Sequence, residues 1–293
     1  MKRARQKILQ QITRNILPVE EARLLVKSFD VVGDVAILKF QSSLDRKGSS
    51  VAEALLKAVP RIKVVLQQRS AVAGDFRTRK FEWLAGEKRT ETTYREHGCI
   101  FKLDLAKVYF SPRLSYERMR IARLVEKKEI IVNMFAGVGC FSIIIAKHSG
   151  AYKIYSIDLN PDAVFFMKEN IRLNKVEENV FPIKDDAEAV IKAELQGKAD
   201  RVLMPLPEKA YEYLESAVAA LKPSGGWIHY YDFTQARKGE DPMKKVSTKV
   251  SDKIGNLSIN FKTASSRVVR PIGPNWYQVV LDILVGQRSH KIE

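Results

Sequence analysis

Cysteine and histidine are scarce. The 293-residue chain holds two cysteines, Cys99 and Cys140, and four histidines, His97, His148, His229 and His290. None stands at metal-ligand spacing, so no metal is expected. Both cysteines read as small buried hydrophobes of a protein kept in a reducing compartment. No run of about 18 apolar residues is present to cross a membrane. The basic N-terminus lacks the apolar core of a secretory signal. These absences predict a cytoplasmic protein with no membrane partner. Acids are also in deficit, with 34 Asp+Glu against 50 Lys+Arg and a net charge of +16. A lysine-laced thermophile surface usually carries balancing acids, so the excess points to a polyanion, nucleic acid above all.

What is present divides into three stretches. Residues 1–25 read as a basic, mostly helical arm, since Lys2, Arg3, Arg5, Lys7 and Arg14 all precede the first acid, Glu20. Residues 26–92 read as a small α/β RNA-binding domain. Within it, 31–40 is a strand or half of a hairpin, 50–58 a helix, 64–67 a strand and 76–84 a further strand. Arg61, Lys63, Arg69, Arg77, Arg79 and Lys80 lie among Phe76, Phe81 and Trp83. Cations mixed with aromatics suit RNA, whose bases stack on rings, although for most of these rings a place in the core is the better reading.

Residues 93–293 read as a connector followed by a second domain. In the connector, 101–105 alternates as a strand and 116–127 is helix-prone. Strands at 130–134, 153–157, 180–183, 201–204 and 227–231 then alternate with helices at 141–147, 161–173, 186–195 and 207–220. This is the pattern of a doubly wound, mostly parallel sheet. Two late strands, 257–268 and 276–285, belong at one sheet edge. Residues 237–253, polar and rich in lysine, read as a mobile loop. Ligands on such sheets bind beyond the carboxyl ends of the strands, where the pattern puts 135–139, Asp158, Asp185-Asp186 and 205–207.

The first of those ends carries F-A-G-V-G-C at 135–140. Glycine there allows close approach of backbone to ligand. Asp158 follows Gly137 by 21 residues, near the ~20 expected of an acid that accepts from a ribose diol. A dinucleotide fingerprint has a third glycine, and Ser142 occupies that place. With no pyrophosphate cradle, the motif followed by D-L-N-P fits S-adenosylmethionine better than a nicotinamide dinucleotide. Asp158 is equally placed to cap the helix before Pro161. Asp186 with Ala187 stands either as an acceptor for the adenine amino group or as another cap. The N-P-P-Y of exocyclic-amine methylation is absent, and Pro205-Leu206-Pro207 stands there instead.

The runs Y-F-S-P-R-L-S-Y-E-R at 109–118, V-N-M-F-A-G-V-G-C-F-S-I, D-L-N-P, R-V-L-M-P-L-P and G-G-W-I-H-Y-Y-D-F together resemble the archaeal and eukaryotic tRNA guanine-37 N1-methyltransferase family. The resemblance covers about residues 28–285. It implies a class I Rossmann-like methyltransferase domain behind a small RNA-binding domain, with S-adenosylmethionine as cofactor. It also implies a monomer acting on the tRNA anticodon stem-loop. Many archaeal members carry a further N-terminal domain for the tRNA elbow, for which this N-terminus looks too short. The implied roles are Glu117 as general base and Arg77 as the cation at guanine O6, with Arg79 its substitute if the alignment slips. Tyr109 would line both the cofactor and the base pocket. Asn133, Phe135, Gly137, Gly139, Asp158, Leu159, Asn160, Asp186 and Ala187 would line the cofactor site. Pro205 and Pro207 would lie beside the target base. The ordinary reading of Glu117, among Arg113, Arg118 and Arg120, is a surface ion pair. Arg77 and Arg79 could equally contact phosphates, which position RNA without reading it.

Two departures stand out. The family usually has Asp at Asn133 and Asn at Pro205. The second resembles the archaeal branch linked to wyosine-type tricyclic guanosine synthesis, some members of which also methylate C7 of an imidazoguanine. Two further classes compete: a noncatalytic RNA-binding protein with a degenerate site, and a nicotinamide dehydrogenase.

Overall fold

Between Val32 and Val35 the chain reverses direction in two residues. Gly33 makes this possible with φ +58°, and a Cβ there would stand 2.2 Å from Thr92 Oγ1 and 2.4 Å from Thr93 O. In the computed structural model, which describes residues 2–14, 16–18, 21, 29–40, 47–257 and 259–287, this turn belongs to the first of two units, 1–112 and 113–293.

The first unit contains α1 (Lys2–Arg14), β1 (Asp30–Val32), β2 (Val35–Leu38), α2 (Gly48–Ala58), β3 (Val64–Gln68), β4 (Phe81–Gly86), β5 (Glu91–Glu96) and β6 (Cys99–Asp104). Its sheet runs β1-β2-β3-β4, and β5 with β6 forms a separate hairpin. β2 and β3 are parallel, as a crossover through α2 requires. Leu9 and Ile12 of α1 pack with Val51 and Leu55 of α2 over this sheet. The part of the predicted basic arm that is described is therefore built into the unit's core. Most of 15–28 lies outside the described residues. The stretch 31–40 resolves as the β1–β2 hairpin. The strand expected from residue 76 starts only at Phe81, because 73–78 closes a turn in which Arg77 N donates to Gly74 O and Ala73 pairs with Thr78. Cys99 and Cys140 are buried free thiols.

The second unit contains α3 (Ser115–Leu124), β7 (Ile130–Asn133), α4 (Cys140–His148), β8 (Lys153–Asp158), α5 (Pro161–Asn174), β9 (Val180–Lys184), α6 (Ala187–Val190), β10 (Arg201–Met204), α7 (Leu214–Ala220), β11 (Gly226–Gln235), α8 (Pro242–Gly255), β12 (Phe261–Gly273) and β13 (Trp276–Val285). The sheet order is β12-β13-β11-β10-β7-β8-β9. Strands β7 to β11 are parallel, and β13 runs antiparallel to β11 and β12. The order reverses between β7 and β10, the switch point where a crevice opens in such sheets.

Two expectations fail here. Residues 237–253 do not form a loop, for α8 occupies most of them. Asp241 caps it through Met243 N and Lys244 N, and Pro242 occupies its first turn. Val246, Val250 and Ile254, four residues apart, are buried along one face. The helix expected over 207–220 begins only at Leu214. Residues 206–213 instead proceed through turns, such as Lys209 N to Leu206 O.

Ile254 is fully buried in the core of this unit. Ile254→Ala should lower the unfolding free energy by roughly 2–4 kcal/mol, read from the urea midpoint at unchanged slope. A solvent-exposed loop would show no change.

Candidate functional site

The carboxyl end of β7 is pinned on both sides. Met134 N donates to Leu203 O on β10 at 3.0 Å, and Ala136 N to Ile157 O on β8 at 2.8 Å. The chain then turns through Gly137 (φ +56°) and Gly139 (φ +88°). A Cβ at Gly139 would meet Met167 Cγ at 2.9 Å, while one at Gly137 would meet nothing within 4 Å. Gly139 serves packing, and Gly137 faces open space where a ligand can approach the backbone.

Asp158 closes this turn. Its Oδ2 accepts from Gly137 N at 2.6 Å and its Oδ1 from Asn160 N at 2.9 Å. Asn160, and not Asp158, caps α5, accepting from Asp162 N at 3.0 Å. Two donors favour the ionised carboxylate, yet burial outweighs them and holds Asp158 above the usual carboxylate range. Each oxygen keeps a lone pair for a ribose hydroxyl. Leu159, beside it, is 54% exposed, an apolar face suited to a purine ring.

Asn133 is fully buried. Its Nδ2 donates to Ser142 Oγ at 3.1 Å, and Ser156 Oγ donates to the same hydroxyl at 2.7 Å. Ser142, in the place of the third glycine, thus anchors a polar network. Asn133 Oδ1 is buried without a partner among the described residues. Such an acceptor is costly unless a donor meets it, and it fits the ammonium of an amino-acid moiety. Around the crevice, Phe135 meets Tyr213 edge to face at 5.2 Å. Asp186 caps α6 through Glu188 N and Ala189 N and also accepts from Tyr213 OH. Ala187 is buried, as is Pro207, while Pro205 is half-buried. An open glycine backbone, a free-edged Asp158 and an unmet Asn133 acceptor together fit S-adenosylmethionine.

Glu117 lies on α3 and is 1% exposed, so it is not the surface ion pair that its neighbours suggested. Tyr231 OH donates to its Oε1 at 2.7 Å. Arg120 NH2 donates to Oε1 at 2.8 Å, and Arg120 Nε to Oε2 at 3.1 Å. Arg267 NH2 stands 3.2 Å from Oε2. The Tyr231 ring meets Phe141, the residue after the glycine turn and Cys140, at 6.2 Å. Burial and the Glu117 charge together push the Tyr231 phenol far up, so it remains a donor.

Arg77, Arg79 and Tyr109 belong to the first unit. Arg77 has φ +54°, uncommon for a residue with a side chain, and its guanidinium lies over the Tyr109 ring at 4.2 Å. Arg79 is half-buried nearby in sequence. The residues that sequence reasoning did not assign are those grouped around Glu117 and Arg120. Arg120 is signalled by its i+3 spacing. Tyr231, Arg267 and Asp282 come from distant strands, and only strand pairing brings them in.

A family model described as the TRM5/TYW2 methyltransferase domain matches residues 92–257, and one described as the TYW2 N-terminal domain matches 9–90. The chain is 38% identical over 270 residues to the tRNA (guanine(37)-N(1))-methyltransferase Trm5b of Pyrococcus abyssi, covering 92% of this chain and 78% of that protein. The crystal structure of that Trm5b superposes with a TM-score of 0.82 at 37% identity, over 93% and 80% of the two chains. Identity is 40% over 260 residues to the tRNA 4-demethylwyosine(37)-methyltransferase Taw21 of Saccharolobus solfataricus, covering 88% and 93%. The Methanocaldococcus jannaschii TYW2 structure in complex with AdoMet matches with a TM-score of 0.68 at 28% identity, over 89% and 100%.

The raised carboxyl of Asp158 gives a pH signature. Affinity for S-adenosylmethionine should be full above the raised value and fall as pH drops through it, earlier than for an exposed aspartate. Asp158→Asn should bind roughly tenfold or more weakly and lose that pH dependence, about 1.4 kcal/mol. Calorimetric titration across acid to neutral pH reads both.

Proposed function

The chain belongs to the TRM5/TYW2 methyltransferase family, and on that premise we propose that it methylates N1 of guanosine 37 in the tRNA anticodon stem-loop, with Glu117 as base. It is an S-adenosylmethionine-dependent tRNA methyltransferase, which sets aside the noncatalytic and dehydrogenase readings. No helix among the described residues is long and apolar enough to cross a membrane, and action as a cytoplasmic monomer completes the proposal.

Guanine N1 carries a proton at neutral pH and becomes nucleophilic only as that proton leaves. When bound, S-adenosylmethionine supplies an electrophilic methyl on a sulfonium. Asp158 would hold the ribose diol, Leu159 would cover the adenine, and Asn133 Oδ1 would receive the ammonium. Glu117 would take the N1 proton, and the Arg77 cation would offset the charge that develops on O6. The observation that carries this reading is Glu117 itself: a buried carboxylate, held by a tyrosine and two arginines, and linked through the Tyr231 and Phe141 rings to the helix that follows the glycine turn. Of its contacts, Arg267 on the outermost strand β12 is the ion pair that can yield to the incoming base. Pro205 offers no polar side chain to guanine, and Tyr109 and Pro207 would wall the base.

A second reading, methylation of C7 of an imidazoguanine intermediate at the same position, is favoured by the 40% identity across 93% of Taw21 together with Pro205. A pocket with less polar wall at that point suits a larger ring system.

Removal of a general base typically costs 10²–10⁴-fold. Glu117→Gln should therefore lose about that factor in single-turnover methylation of a tRNA transcript and keep its cofactor affinity. Nucleoside mass spectrometry should find 1-methylguanosine in the transcript and none when position 37 is substituted. Near-normal turnover by Glu117→Gln would remove it as the base. A tRNA bearing the tricyclic precursor, incubated alongside, should gain one methyl if the second reading holds.

A further inference from the structure

Behind Glu117 runs an unbroken chain of polar contacts, part-buried at Arg120 and buried beyond it. Arg120 bridges two carboxylates. One edge holds Glu117, and the other donates from NH1 to Asp282 Oδ2 at 2.6 Å and from NH2 to Asp282 Oδ1 at 3.0 Å. Asp282 Oδ1 also meets His229 Nδ1 at 2.6 Å. The other nitrogen of that ring, Nε2, lies 2.7 Å from Arg201 NH1. Arg201 is gripped in turn by both oxygens of Glu129, at 2.7 and 2.8 Å, and by Leu124 O at 2.8 Å.

The chemistry of the donors fixes the protons. A guanidinium only donates, so His229 Nε2 accepts and Nδ1 carries the hydrogen that goes to Asp282. His229 is therefore neutral, and burial lowers its proton affinity in the same sense. Asp282 stays ionised, since hydrogen bonds from His229 and Arg120 overcome its burial and hold it well below the usual carboxylate range. The groups that face Glu117 are Arg120 from α3, Tyr231 from β11 and Arg267 from β12, with Asp282 of β13 and His229 of β11 behind Arg120.

Such an array is weak evidence of added stability. Exchanging buried ion pairs for apolar side chains is often neutral or stabilising. Its geometry does have a chemical consequence. An arginine devoted wholly to Glu117 would make that carboxylate a reluctant proton acceptor, whereas one shared with a second carboxylate exerts a smaller pull.

We propose that Asp282 and His229 are positioning residues for the base: Asp282 draws off part of the Arg120 charge, and the His229 N–H limits how much it draws. This rests on the reading of Glu117 as base. Both reach Glu117 only through Arg120. The pair sets both the aim of Glu117 and the strength with which it takes the guanine N1 proton, and opposite changes at the two residues move that strength in opposite directions.

The test is the single-turnover rate with saturating tRNA and S-adenosylmethionine between about pH 5 and pH 9. Asp282→Asn leaves the full charge of Arg120 on Glu117. Its acidic limb should move to lower pH by about half a unit to one unit, and its plateau should fall roughly tenfold. His229→Gln offers Arg201 an acceptor but leaves Asp282 without its donor. Its acidic limb should move to higher pH. Calorimetric affinity for S-adenosylmethionine should stay within about twofold in both. If Asp282→Asn fails to fold by circular dichroism, the upward shift in His229→Gln decides alone. Profiles that superpose on the parent, or that shift in the same direction, overturn the proposal. Glu117→Gln in the same series separates the two ideas. Full activity there defeats the base itself, whereas an inactive Glu117→Gln beside unshifted profiles defeats only the role of Asp282 and His229.

Discussion

One carboxylate ties two strand ends together. Asp158 accepts from Gly137 in the turn after β7 and from Asn160 at the head of α5. A glycine turn with two positive φ angles has little to hold it, and these bonds supply the constraint. The cost is a buried charge at the lip of the crevice. That charge is tolerated because both oxygens already have backbone donors, and because a ligand diol can satisfy what remains. The position of Leu159, the capping role of Asn160 and the open face at Gly137 all follow from where this side chain sits.

The parallel strands were legible because each is a short apolar run ending in a turn signal. Residues 201–204 matched to the residue, and β7, β8 and β9 to within one residue at either end. The misreadings have physical causes. Helix α8 is covered in lysines on its outer face, and that charge masked an apolar spacing of four and the Asp241-Pro242 start. Strand β5, E-T-T-Y-R-E, alternates regularly in burial, but its inward residues are Thr92, Tyr94 and Glu96, so hydropathy did not show it and it went unread. In 207–213 the composition favours helix, but the segment runs through turns on Leu206 O, accepting from both Lys209 N and Ala210 N, before α7 begins.

The candidate site divides along the same line. Asp158, Asn160 and the glycines were readable because the chemistry is local, within a βαβ unit. The surroundings of Glu117 were not. Sequence proximity to three arginines argued for an exposed pair, and the fold instead buries the carboxylate by bringing Tyr231, Arg267 and Asp282 across from strands more than a hundred residues away. Contacts of that separation leave no periodicity to read. Asn133 is a third kind of case, since its orphaned Oδ1 is invisible until burial is known.

Strand β12 slips register against β13 at Thr263/Ser265, Val268/Arg270 and Pro271/Gly273. Bulges of this kind sharpen local twist, and with Pro271 they make the outer edge a poor template for another chain's strand. Arg267 sits between two of the slips, on a ladder already interrupted at both sides. A side chain rooted there can change partner by a small local adjustment, without unzipping β13 from the sheet. The irregularity that closes the sheet to aggregation thus also gives the salt bridge on Glu117 a hinge.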